Sequence, residues 1–122
     1  MARHNETGKK GEELACRFLT GQGYRIIERN WRCERKEIDI IARKGNLIIF
    51  IEVKTRGSVR YGEPEEFISE QKQRYLIHAA ESYLIENDID LESRFDVISV
   101  VISGNKQTVR HIQEAIDPWI QE

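Results

Sequence analysis

The chain has 122 residues, 33% of them charged and 39% hydrophobic, with 19 Lys and Arg against 21 Asp and Glu for a formal net charge of −2. This length predicts one domain over residues 1–122, with a core that needs no disulfide or structural metal. No apolar run approaches the ~20 residues of a membrane span, and the start, Met1-Ala2-Arg3-His4-Asn5-Glu6, has no apolar signal segment, so a cytoplasmic protein without a membrane partner is expected.

The first predicted element is a helix from Gly8 to Gln22, in which Leu14, Ala15, Phe18 and Leu19 share one face and which Gly21 and Gly23 end. Tyr24 to Arg32 reads as a strand entering a turn. Glu37 to Arg43 and Leu47 to Thr55 read as strands joined in a hairpin across Gly45-Asn46. A polar stretch from Arg56 to Ser69 leads to a helix from Glu70 to Glu86, whose buried face is Leu76, Ala80, Tyr83 and Leu84. Phe95 to Ile102 and Gln107 to Ile112 follow as strands paired across Gly104-Asn105. The order gives an α/β fold, a mixed β-sheet with helices packed on it.

Cys16 and Cys33 form no CxxC pair and have no histidine at ligand spacing, so both are expected as reduced thiols. His78 and His111 lack a catalytic partner in the sequence and are assigned structural roles.

The hairpin carries the chemistry. With the turn centred between Gly45 and Asn46, each step back along one strand is matched on the other, so Asp39 faces Glu52 and Glu37 faces Lys54, all four on one face. Opposed β-carbons lie roughly 4.5 to 5.5 Å apart, close enough for two carboxylates to share a divalent cation. Carboxylates between strands as apolar as Ile38, Ile40, Ile41 and Leu47 to Ile51 need a task or a partner. Two readings stand. One is a site for Mg²⁺ or Mn²⁺, which bind through one or two carboxylates plus substrate phosphate, with the lysine acting on water or phosphoryl oxygens. The other is a salt-bridge ladder, Glu37 with Lys54 and Asp39 with an arginine.

On the first helix, Glu12 flanks the apolar face and can turn toward the sheet, whereas Glu13 points nearly the opposite way; an N-terminal acid favoured by the helix dipole is the alternative reading of Glu12. Gly8 and Gly11 share the packed side and permit a close approach. Charge is asymmetric along the chain, with 14 Lys and Arg against 8 Asp and Glu in residues 1–60 and 5 against 13 in residues 61–122. A basic face for a polyanion such as DNA would draw on Lys9, Lys10, Arg56 and Arg60, with Arg32, Arg35 and Lys36 nearby in sequence, while Gln71 and Lys72 in the first turn of the second helix could reach a phosphate. An ordinary solvated ionic surface is the alternative.

Gly11-Glu12-x-x-Ala15, Arg29-Asn30, Glu37-Ile38-Asp39, Phe50-Ile51-Glu52-Val53-Lys54-Thr55-Arg56, Gly62, Lys72, Arg94-Phe95-Asp96-Val97 and His111-Ile112 resemble the YraN family, over nearly the whole chain. That family is similar to the PD-(D/E)xK nucleases and, among them, to archaeal Holliday-junction resolvases. The resemblance implies a restriction-endonuclease-like sheet of about five strands, with Asp39 as the motif aspartate, Glu52 and Lys54 as the ExK pair and Glu12 completing the metal site. It implies a Mg²⁺- or Mn²⁺-dependent endonuclease acting on DNA, including branched DNA, and a homodimer if two strands are cut symmetrically. A nucleic-acid-binding module that keeps the fold without cleaving, and an interaction protein with no nucleic-acid role, are the other readings.

Overall fold

The computed structural model describes residues 2–57 and 68–118, with side chains described from Glu6 onward. Helix α1 spans Ala2–Gly21. It begins ahead of the expected Gly8, because its first turns are polar and carry none of the apolar spacing by which a helix is recognised. Its end is a Schellman turn: the Tyr24 N–H donates to the Leu19 carbonyl and the Gly23 N–H to Thr20, with Gly23 at a φ of +94°. Leu19 and Tyr24 are both buried, adding the apolar contact that accompanies this cap.

Five strands follow, β1 (Arg25–Cys33), β2 (Lys36–Lys44), β3 (Leu47–Arg56), β4 (Glu92–Ser103) and β5 (Lys106–Ile112), with helix α2 (Glu70–Glu86) between β3 and β4. The sheet order is β1-β2-β3-β4-β5. Pairing is antiparallel except between β3 and β4, which run parallel as their α2 crossover requires. The predicted turns are in place: Lys44 pairs with Leu47 and Ser103 with Lys106, and each two-residue turn opens on a glycine at positive φ. The Ser69 hydroxyl accepts from the Lys72 N–H and starts α2 at the expected residue.

Each sheet face is covered by one helix. Ile38, Ile41, Ile48, Phe50, Phe95 and Val97 pack with Leu76, Ala79, Ala80 and Tyr83 of α2. Ile40, Ala42, Ile49, Ile51, Ile98 and Val100 pack with Ala15 and Leu19 of α1. Burial on both faces explains why Leu47 to Ile51 is a continuous apolar run and not an alternating one. At Gly11 the helix meets β3 so closely that a β-carbon would collide with the Thr55 side chain; Gly8, by contrast, faces open space. Cys16 and Cys33 are free and belong to opposite faces. Among the described residues no helix is long and apolar enough to cross a membrane.

Candidate metal centre

The β2–β3 hairpin has the expected register as far as Ile40 opposite Ile51, and there its ladder stops. Strand alternation also slips at this point: Ile38 packs toward α2, Ile40 toward α1 and Ile41 toward α2 again. On the neighbouring β1, Asn30 adopts a φ of +53° between Arg29 and Trp31, the partners of Ile40 and Ile38. The irregularity frees the Asp39 side chain from a strict up-or-down orientation. Its Oδ2 accepts a hydrogen bond of 2.8 Å from the Val53 main-chain N–H, taking the place of the next rung.

Glu52, the residue before Val53, is only 9% exposed and lies within hydrogen-bonding reach of Asp39. Burial pushes the Asp39 carboxyl up, and the negative charge of Glu52 adds to it, raising its pKa to about 8; the Val53 hydrogen bond acts the other way. Burial raises Glu52 as well, against the pull of Lys72. The Lys72 Nζ stands 3.2 Å from Glu52 Oε2. Two carboxyl groups thus converge between adjacent strands, with the Lys72 ammonium upon one of them. A hard divalent cation held through one or two carboxylates suits this donor set.

The expected facing of Glu37 and Lys54 is corrected, since the ladder does not extend that far. Glu37 instead bonds across to Arg32, its register partner on β1, at 3.3 Å. Lys54 is half-buried two residues beyond Glu52 and pairs in register with Ser99 of β4. The salt-bridge ladder is not formed either: Asp39 takes a main-chain N–H and Glu52 takes Lys72.

Glu12 is half-buried and Glu13 exposed, as the helical wheel requires. Burial raises the Glu12 carboxyl, while a hydrogen bond with the Asn30 side chain and the charge of Arg29 lower it. Its charge is felt at Asp39, yet it approaches from the α1 side, whereas Glu52 meets Lys72 of α2. Among the described residues no three acidic, histidine or cysteine side chains stand close enough together to hold one metal ion. The structure therefore joins Asp39 to Glu52 and ties Glu12 to Asn30.

A cleft of about 140 Å³ opens over the pair, lined by Arg35, Lys36, Glu37, Asp39, Glu52, Lys72, Tyr75 and Leu76. The phosphate-binding candidates divide. Lys72 lies in the cleft, and Gln71 donates at 2.6 Å to the hydroxyl of Tyr75 on its rim. Lys9 and Lys10 are exposed and line a separate groove with Arg17 and Gln107. Arg56 is half-buried at the end of β3, and Arg60 lies outside the described residues. Tyr75 was not singled out from the sequence; its spacing of four residues after Gln71 on a helix is the signal that could have found it.

A second polar centre lies beside the α1 face. Asp96 of β4 is fully buried and accepts hydrogen bonds from Arg94 Nε and Nη2, from the Glu114 N–H at 3.0 Å, and makes a 2.7 Å contact with His111 Nε2. Arg94 donates onward to the Tyr24 hydroxyl at 2.6 Å. His111, which the sequence left without a partner, finds one in Asp96.

Fold and site define an α/β protein with a mixed five-stranded sheet and a paired-carboxylate cleft beside its central hairpin. Residues 11–100 match the model of Uncharacterised protein family UPF0102, and the chain belongs to that family. This bears out the resemblance to YraN. A UPF0102 protein of Phocaeicola vulgatus is 46% identical over 98% of this chain and 99% of its own length. One from Flavobacterium psychrophilum is 44% identical over 94% and 97%, and one from Chlorobium phaeobacteroides is 50% identical over 82% and 80%. Among solved structures, Pyrococcus furiosus SfsA in complex with Ca²⁺ aligns with a TM-score of 0.43 at 16% identity, covering 90% of this chain and 63% of that one.

Proposed function

We propose that this protein is a metal-dependent nuclease that hydrolyses phosphodiester bonds in DNA, branched DNA included. The observation that carries this reading is the Asp39–Glu52 pair: two carboxyls from adjacent strands, each raised in pKa by burial, beside a cleft edged with cations. A fold-stabilising ion pair would be built from opposite charges. Apposed acids that resist ionisation suit a centre completed by a cation from outside.

In this reading Asp39 and Glu52 hold Mg²⁺ or Mn²⁺, and Glu12, bonded to Asn30, stands outside the ligand set. The cation, when bound, supplies Lewis-acid polarisation of the phosphate and a more acidic water. Lys54 stabilises charge on the phosphoryl oxygens and orients the attacking water. That water forms the new bond to phosphorus as the bond to the sugar oxygen breaks, and a proton takes the place of phosphorus on the departing oxygen. Arg35 and Lys36 at the cleft mouth would hold the flanking backbone, with the groove at Lys9 and Lys10 as a further contact.

The test is cleavage of linear, flapped and four-way-junction DNA in Mn²⁺. Asp39→Ala should abolish it, and Lys54→Ala should cost on the order of 10²- to 10⁴-fold. Activity that persists in both variants would dismiss this site. A second reading, a non-cleaving nucleic-acid-binding module, is favoured by the attachment of Glu12 to Asn30, which leaves two carboxyls and not three for a metal among the described residues. Salt-sensitive DNA binding with no product in Mg²⁺ or Mn²⁺ would select it.

A further inference from the structure

The ammonium of Lys72 is placed where an incoming cation would be drawn. It stands 3.2 Å from Glu52 Oε2 and is attracted by Glu52 first, then by Asp39 and Glu37. Glu37 is paired with Arg32, and Lys72 is paired with Glu52. The base of its side chain is fixed in the first turn of α2, where its N–H donates to Ser69 Oγ at 3.1 Å. Its head is not: the side chain is 54% exposed, and a lysine carries its charge on a flexible four-carbon stem. The lysine is thus anchored at its base, with an exposed and flexible stem that carries its ammonium to Glu52.

The geometry points to Lys72 as an exchangeable internal counter-ion, which sits on Glu52 when no divalent cation is present and turns to a nucleic-acid phosphate when one enters. This rests on the reading of Asp39 and Glu52 as a metal centre and adds to it an order of events. Cation capture releases the ammonium, so metal and polyanion bind with positive coupling, each favouring the state the other needs. A lysine that merely braced Glu52 would have the opposite effect on metal affinity, because its removal would leave the carboxylate less well placed.

The experiment uses the full chain and two ligands separately. Mn²⁺ alone is titrated into wild type, Lys72→Met and Lys72→Arg, and a short duplex oligonucleotide is then titrated with and without Ca²⁺. Lys72→Met should bind Mn²⁺ about three- to tenfold more tightly, the scale of one partly exposed ion pair. It should also lose most of the gain in DNA affinity that Ca²⁺ confers on wild type. Lys72→Arg keeps the charge and should retain the wild-type Mn²⁺ affinity, which separates loss of the ammonium from damage to the fold. Unchanged or weaker Mn²⁺ binding by Lys72→Met, with binding measurable in wild type, would overturn the counter-ion role and leave the metal centre standing. No Mn²⁺ binding by any of the three would overturn both.

Discussion

Two aspartates of this protein are shielded from water in opposite ways. Asp96 is buried completely, which by itself would push its carboxyl up, yet its pKa lies below the ordinary range because His111, Arg94 and the Glu114 N–H all stabilise the charged form. Asp39 keeps some exposed surface yet is raised to about 8, since burial and the charge of Glu52 outweigh its single main-chain donor. The contrast follows the partners each carboxyl has. A carboxylate surrounded by donors is a finished structural element, fastening β4 to the segment after β5, whereas one set against another carboxylate awaits something positive.

Breaking the finished centre should have the largest effect on stability. Asp96→Asn leaves the partly buried Arg94 without its counter-charge, and a cost of about 3 kcal/mol is expected, read as a fall in Tm of at least ~10 °C by calorimetry. A change within ~1 kcal/mol would show that the network is no anchor.

The same substitution at the other aspartate should have the opposite sign and a smaller size. Asp39→Asn removes an acid that must be held protonated beside Glu52 at neutral pH while its carbonyl can still accept from Val53, so stability at neutral pH should rise by at least on the order of 1 kcal/mol. The pH dependence sharpens this. The folded Asp39 pKa of about 8 exceeds the ordinary 3.8, so its stability contribution is full below the unfolded pKa and declines as pH rises toward 8. Denaturant unfolding should show that decline in wild type and its reduction in Asp39→Asn. Asp96, with a lowered pKa, contributes the reverse slope, stability that is lost as pH falls through the acid range. Equal pH profiles for wild type and Asp39→Asn would refute the paired-acid account.

The smallest effect is expected from Glu12→Gln. Burial, not Asp39, dominates the Glu12 carboxyl, and its charge is a lesser contribution at Asp39. The substitution should shift the pH profile slightly toward lower pH and leave Mn²⁺ affinity near wild type. A loss of about tenfold or more would place Glu12 among the ligands.

Much of this site could be read from local pattern. The Gly45-Asn46 turn fixes the register by which Asp39 comes to Glu52, and the 100° step of a helix distinguishes Glu12 from Glu13. The extrapolation failed at Glu37 and Lys54, because alternation was assumed to run through a ladder that ends at Ile40 and Ile51. Asparagine tolerates a positive φ better than other side chains, but that Asn30 adopts one inside a strand beside Asp39 emerges only in the fold. Lys72 and Tyr75 join the cleft from α2, far from the hairpin in sequence, and Asp96, two residues after Arg94 on β4, meets His111 through a strand pairing that only the assembled sheet supplies.

Composition, apolar periodicity and turn residues by themselves determined the seven elements, the two helix faces, the hairpin and the identity of the two apposed acids. These rest on interactions within a few residues or across one tight turn, where backbone geometry leaves few choices. The tertiary structure decided which cation reaches Glu52, that Glu12 turns to Asn30, and that one buried aspartate is satisfied while the other is not. Those outcomes depend on side chains brought together from distant strands and helices, and on the desolvation that packing imposes.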